Sequence, residues 1–316
     1  MKGSMAKRLL CSVAFLLCSL NDVSFADTGA WQQISPLSGP GKFNLNNCKL
    51  LAMADVDLDG RPDVVCAYDY GGSRTRTFVR FIHADGATAW TAWGPELEQF
   101  DLNACRMLTI ADVNGDGVPD LVCAYDYGNS NTATWVQLLK RDGASAWKMW
   151  SPPSGPGKFN LSNCKLLAMA DVDLDGRPDV VCAYDYGGSR TRTFVQFIHA
   201  DGATAWTAWG PELEQFNLTA CRMLTIADVN GDAVPDLVCV YDYGDSNTAT
   251  WVQLLKRDGA SAWKMWSPPS GPGKFDVGRC RLLTVADTNR DGLLDVVCAY
   301  DYGNSNTATF VSLGIK

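Results

Sequence analysis

The sequence predicts an all-β fold, a five-bladed β-propeller with four antiparallel strands per blade, on three observations. An acidic stretch, Asp55-Val56-Asp57-Leu58-Asp59-Gly60-Arg61-Pro62-Asp63, returns in altered form at Asp112, Asp171, Asp228 and Asp287, at spacings of 57, 59, 57 and 59 residues. A fixed period of that size marks solenoids and propellers, so length does not divide this chain into two domains. Within each period, short β-branched and aromatic runs alternate with turn residues, as strands do. No stretch beyond residue 26 carries a helical period.

The first 26 residues stand apart. Lys2, Lys7 and Arg8 precede an apolar run from Leu9 to Leu20, and Ser24-Phe25-Ala26 offers a small-x-small cleavage site. This is the pattern of a secretory signal peptide, and the run is too short to span a bilayer comfortably. Leu16 and Leu17 precede Cys18 where lipid attachment requires small residues. The expectation is a secreted, extracellular chain over 27–316, with no membrane insertion and one five-bladed propeller.

One period then reads in order. Lys49 to Ala54 is an apolar strand entering the acidic loop, and Val64 to Tyr68 is the strand leaving it. A Gly-Gly-Ser turn leads into Thr75 to His83, and Asp85-Gly86 turns the chain into Ala87 to Trp93 before Gly94-Pro95. The fifth period ends in its third strand, at Phe310 to Leu313. Its missing strand lies at the other terminus, where Ala30-Trp31-Gln32-Gln33-Ile34-Ser35-Pro36 matches Ala146-Trp147-Lys148-Met149-Trp150-Ser151-Pro152. The N-terminal segment is therefore expected to complete blade five and close the ring, removing exposed sheet edges.

Each loop, over 55–63, 112–120, 171–179, 228–236 and 287–295, places side-chain oxygens at positions 1, 3, 5 and 9. Four of the five carry glycine at position 6, where the backbone turns with φ > 0. Positions 1, 3, 5 and 6 follow the EF-hand pattern, and an aspartate at position 9 replaces its glutamate at position 12. Calcium is the implied cofactor, structural in role and up to five ions. The competing reading is a set of Asx turns without metal.

Ala111-Asp112-Val113-Asn114-Gly115-Asp116-Gly117-Val118-Pro119-Asp120-Leu121-Val122 resembles the calcium loop and following strand of FG-GAP and VCBS repeats, as in integrin α-chain propellers. The resemblance recurs in all five units. It implies metal ligands Asp55, Asp57, Asp59 and Asp63 with the Arg61 carbonyl, and Asp171, Asp173, Asp175 and Asp179 in the third unit. In the other units it implies Asp112, Asn114, Asp116 and Asp120; Asp228, Asn230, Asp232 and Asp236; and Asp287, Asn289, Asp291 and Asp295. An amide at position 3 removes one carboxylate and weakens those sites. Ala233 stands at position 6 of the fourth loop and is expected to strain or weaken it.

Charge agrees with cation binding. The leader carries a net +2, so the −8 of the full chain becomes −10 without it, and the loops hold 17 aspartates. Clustered carboxylates resist ionisation unless a cation compensates them. Beyond the leader, ten cysteines fall two per unit: Cys48 and Cys66, Cys105 and Cys123, Cys164 and Cys182, Cys221 and Cys239, Cys280 and Cys298. An even set in a secreted chain reads as five disulfides. Pairing within a unit is favoured although Cys48 lies out of register with Cys66, which requires a bulge; bonds between blades or buried free thiols are the alternatives.

Nine of eleven tryptophans fall in the fourth strand: Trp31, Trp90, Trp93, Trp147, Trp150, Trp206, Trp209, Trp263 and Trp266. They either fill the space between blades or, with polar neighbours such as Asn129, Ser130 and Asn131, form repeated platforms for sugar faces. Some proteins with these repeats are propeller lectins and others adhesion modules. The sequence reading is a multivalent lectin-like protein whose partners are glycans, with a cell-surface protein partner or a scaffold role as the alternative. Two histidines in equivalent positions, His83 and His199, and no asymmetric acid, base and nucleophile cluster argue against an enzyme. The acidic balance disfavours nucleic acid, and Arg74, Arg76, Arg190 and Arg192 make only local basic spots.

Overall fold

A computed structural model describes residues 33–39 and 41–312. The leader, Cys11, Cys18, and the Ala30-Trp31-Gln32 part of the expected closing strand lie outside those residues. Five similar units follow one another. Each begins with a three-residue 3-10 turn, capped by an Asn or Asp side chain that accepts a backbone N–H. In unit one the turn Leu45–Asn47 leads into Cys48–Ala54, the acidic loop, Asp63–Gly71 and Arg74–Arg80. These strands pair in sequence order, and a short fourth strand, Thr91–Ala92, pairs with the third. Units two to four repeat the four-stranded sheet, and among the described residues unit five has three strands.

Burial follows the alternation that the sequence carries. In Arg74–Arg80 every second residue, Thr75, Thr77 and Val79, is buried. Two of the three are polar; the Thr75 hydroxyl has no hydrogen-bond partner among the described residues, whereas that of Thr77 is answered across the interface between sheets. Thr77 donates to Gln137 of unit two at 2.5 Å, Thr193 donates to Gln253 of unit four at 2.6 Å, and Thr134 makes the same bond to Gln196. Around these bonds lie apolar clusters that each join consecutive units, as Val56, Val65 and Val79 join Phe100, Leu102, Leu121 and Leu139. A buried hydroxyl and amide so paired fix the stacking register of the sheets, which apolar contact alone does not specify.

The third strand is shorter than its sequence suggests. It breaks at Phe81, and Ile82–His83 pairs with Gly86–Ala87 as a separate hairpin. The reason is local: the Phe81 N–H donates to the Thr88 hydroxyl and the Ile82 N–H to the Asp63 carboxylate, so neither is available to the ladder.

The N-terminal segment takes half of its expected place. The Ile34 carbonyl accepts the Ala87 N–H, as the Trp93, Trp150 and Trp209 carbonyls accept from Ala144, Ala203 and Ala260 of the following units. Residue 34 thus meets unit one as the end of a preceding fourth strand would. Toward unit five the contact is lacking: among the described residues no hydrogen bond joins 33–39 to Asn306–Ser312. Leu45 is 54% exposed, whereas its equivalents Leu102, Leu161, Leu218 and Val277 are 2–3% exposed against a preceding unit. Closure of the ring is therefore not seen in the described contacts.

Candidate functional site

The acidic loops fold first around their own backbone. In unit one the Asp55 carboxylate accepts the N–H groups of Asp59 and Gly60, Asp57 accepts that of Asp59, and Asp59 accepts that of Arg61. Position 9 does something different. Asp63 is fully buried and spans two elements, accepting the Val56 N–H at one oxygen and the Ile82 N–H at the other. Asp120, Asp179 and Asp236 repeat that bridge. Removal from water pushes the Asp120 and Asp236 carboxyls up to about 7 and Asp179 to about 8, against the backbone bonds that favour the charged form.

The donor set fits a hard divalent cation in two units above all. Carboxylates of positions 1, 3 and 9 converge in units one and three, where Asp55, Asp57 and Asp63, and Asp171, Asp173 and Asp179, each bring an oxygen within 4.8 Å of the others. In units two, four and five the position-3 amide donates to the position-5 carboxylate, at 3.0 Å from Asn114 to Asp116 and 3.1 Å from Asn230 to Asp232 and from Asn289 to Asp291. A donor thus stands where a third carboxylate would be. His83 adds an imidazole 3.4 Å from Asp59, with Asp57 also near, and His199 lies 3.9 Å from Asp175.

Position 6 keeps its left-handed backbone whether or not it is glycine. Gly60, Gly117, Gly176 and Gly292 have φ between 84° and 89°, and Ala233 has 70°. The Ala233 N–H still donates to Asp228, as Gly117 does to Asp112, so alanine adopts the loop conformation rather than changing it. A second left-handed position escaped the sequence reading: Leu58, Leu174 and Arg290, at position 4, have φ of 59°, 60° and 63°.

All five cysteine pairs bond within their units, with Cα separations of 5.4 to 5.5 Å. Cys48 lies opposite Tyr68 and Cys66 opposite Leu51, and a bulge between Cys48 and Leu50 brings the two sulfurs together on the diagonal. The same bulge recurs in every unit.

The tryptophans are held on one or both sides. Trp90, Trp147, Trp206 and Trp263 each stack on a phenylalanine, Phe43, Phe100, Phe159 and Phe216, at 4.4 to 4.5 Å between ring centres. Trp93, Trp150 and Trp209 donate their indole N–H to Lys140, His199 and Lys256 carbonyls in the following unit, and Trp266 packs with unit-five residues Leu294 and Val296. The more exposed rings belong to tyrosines, which the sequence did not single out as ligand-binding. In Tyr-Asp-Tyr-Gly the second tyrosine, at 70, 127, 186, 243 and 302, is 38–48% exposed and stands 4.8 to 4.9 Å from the buried or half-buried first. The missed signal was available, since all ten tyrosines of the chain lie in this motif. Its aspartate is structural: Asp69 accepts the Gly71 N–H and pairs with Lys49, and Asp126, Asp242 and Asp301 pair with Arg106, Arg222 and Arg281.

Each of the first four units therefore carries an aromatic cluster of phenylalanine, two tyrosines, a third-strand ring and a tryptophan. In unit two these are Phe100, Tyr125, Tyr127, Trp135 and Trp147. Asn131 sits beside its cluster, accepting the Gly155 N–H. A separate cavity of about 670 Å³ lies between the first strands of units two and three, lined by Arg106, Met107, Leu167 and Met169 and by no aromatic residue. Among the described residues no helix is long and apolar enough to cross a membrane.

Repeated four-stranded sheets, each entered through an Asp-rich loop and packed on the next, define a propeller-type repeat protein. The chain belongs to the FG-GAP-like repeat family, which it matches over residues 55–123, 112–182, 171–239 and 228–298. Protein FAM234B of Gallus gallus is 25% identical over 195 residues, 58% of this chain and 28% of that protein. Among solved structures, a lectin of Agrocybe aegerita described as specifically recognising non-reducing terminal N-acetylglucosamine superposes with a TM-score of 0.59 at 17% identity, over 84% of this chain and 66% of the lectin. The chain thus spans about a quarter of FAM234B and about two thirds of the lectin. At that identity the lectin speaks to the fold.

Proposed function

We propose that this protein is a secreted, calcium-loaded propeller lectin that binds carbohydrate at repeated sites, without catalysis. The observation that carries the reading is the recurrence of a partly exposed tyrosine on a packed aromatic cluster. Sugars present a weakly polar face of C–H bonds that stacks on such rings, and hydroxyls that need nearby polar partners. Packed rings lose little freedom on binding, so the platform is pre-organised. Several weak sites on one rigid frame gain avidity on a multivalent glycan surface. Trp90, Trp147, Trp206 and Trp263, half-buried members of the same clusters, lie beside these tyrosines and are assigned to the platform. The fold shared with a lectin is consistent with this use.

Calcium is assigned to the acidic loops, with units one and three binding more tightly than the others. Its role is structural, because the position-9 aspartates that it would engage also tether the loop to its hairpin in each of the first four units. The closed ring of five blades, with residues 27–37 completing the fifth, belongs to the same proposal. Five disulfides suit an oxidising, extracellular location.

A glycan-array screen of the calcium-loaded protein, repeated after chelation on a sample shown to remain folded, tests the reading. Binding to a coherent set of sugars, reduced when Tyr127 and Tyr243 are replaced by alanine, supports it. Silence from a folded sample across a broad array refutes it and points to a protein partner.

A further inference from the structure

We infer that the sites alternate in chemistry around the chain, and that those of units one and three select anionic sugars, bearing carboxylate or sulfate. This rests on the carbohydrate reading above and narrows it.

The difference begins at two positions of the third strand. Units one and three place arginine at 74 and 76, and at 190 and 192, where units two and four have Asn131 and Ala133, and Asn247 and Ala249. In unit one the Arg76 guanidinium donates to the Gly94 carbonyl at 2.8 Å. Arg192 does the same toward the Gly210 carbonyl at 2.9 Å. In units two and four the hydroxyl of the motif's second tyrosine accepts an indole N–H, from Trp135 at 2.9 Å and Trp251 at 3.1 Å. The same tyrosine therefore stands beside a cation in one pair of units and accepts from a neutral donor in the other.

The second arginine changes the platform itself. Arg74 lies 5.4 Å over the Tyr70 ring and Arg190 lies 5.4 Å over Tyr186. A guanidinium over the face competes with a sugar for stacking, whereas Tyr127 and Tyr243 carry no such cover among the described contacts. Arg74 is engaged by Glu96 at 3.4 Å, and Arg190 is engaged by Glu212. Among the described contacts Arg76 and Arg192 form no ion pair: each donates to a backbone carbonyl and lies 5.9 Å over a phenylalanine ring, Phe78 and Phe194. A half-buried guanidinium without a carboxylate, beside a tyrosine, pairs most favourably with an anion. Two such sites, with one unit between them, suit a ligand with charge repeated along its length.

Isothermal titration of the calcium-loaded protein with three probes separates the possibilities: a heparin-derived hexasaccharide, an oligogalacturonate of equal length, and the neutral N-acetylglucosamine trimer. One or both anionic probes should bind at two sites per chain, and the two probes distinguish sulfate from carboxylate. Affinity should fall about tenfold in R76Q/R192Q, with neutral binding unchanged. It should also weaken as salt rises from about 50 to about 200 mM. If R76Q/R192Q loses its fold, E96Q/E212Q decides instead: removing the competing carboxylates should tighten anionic binding severalfold, and no change would overturn the inference. Neutral binding without anionic binding, or anionic binding indifferent to both variants, overturns it and leaves the lectin reading intact. Binding of none of the probes, together with a silent glycan array, removes both.

Discussion

Replacing Ala233 by glycine should stabilise this protein, and the loops supply their own control. Ala233 holds φ at 70°, in the left-handed region that the four equivalent glycines occupy at 84° to 89°. A left-handed conformation costs a Cβ-bearing residue about 1–2 kcal/mol. Glycine removes that cost but gains freedom in the unfolded chain, returning about 0.4–1 kcal/mol. Ala233 is exposed, so no buried contact changes hands. The net gain for A233G is about 0.5–1 kcal/mol, or about 1–4 °C in Tm for a domain of this size. The mirror substitution is Gly117→Ala in unit two, where an added Cβ would meet no atom within 4 Å, so that strain acts without a clash. It should cost the same amount. Circular-dichroism melts of both variants, in calcium and in chelator, check the pair. A233G melting below the parent while G117A melts above it would refute the strain argument. A233G should also tighten the fourth loop's calcium affinity, read by titration against the parent.

Other outcomes follow from the same geometry. Removing one disulfide, as in C105A/C123A, should cost about 3 kcal/mol for a loop of this length, measured by denaturant unfolding. Gln137→Ala leaves the buried Thr77 hydroxyl without its acceptor and should cost about 1–3 kcal/mol in the same assay. Deleting residues 27–37 removes the Ile34 to Ala87 and Ser35 to Arg80 bonds and should lower Tm, and an unchanged melt would count against any closing role for the segment. For pH the sign is set by the raised carboxyls of Asp120, Asp179 and Asp236. The folded state holds protons that the unfolded state has released, so metal-free protein should lose stability as pH rises from about 4 through about 8. Calcium should flatten that slope, because the cation then compensates the charge that the proton otherwise removes; melts at pH 5 and pH 8 with and without calcium test this.

Much of the fold was legible because it is written five times. The period, the acidic loop and the entering and leaving strands each depend on local chemistry: an aspartate spacing, a glycine, an alternation of apolar residues. Those survive in a linear reading, and the first two strands of every unit lie where the pattern placed them. The disulfides needed more. A strand register read from the loop puts Cys48 and Cys66 apart, and only the bulge at Lys49, which no composition announces, brings them to 5.4 Å.

The candidate site was less legible. Tryptophan abundance drew attention to the fourth strand, yet whether a ring is open depends on what stacks on it from another segment. Phe43, Phe100, Phe159 and Phe216 cover the tryptophans, and the second tyrosines of the Tyr-Asp-Tyr-Gly motif are the more exposed rings instead. The buried Thr77 with Gln137 and the Arg76 guanidinium with the Gly94 carbonyl likewise join residues far apart in sequence. Sequence by itself determined the repeated unit and its acidic loop, because their causes lie within a few residues. Which rings face solvent, which polar groups answer one another between units and where the guanidinium ends up were decided by tertiary packing, because each depends on a neighbour that the chain reaches only after folding.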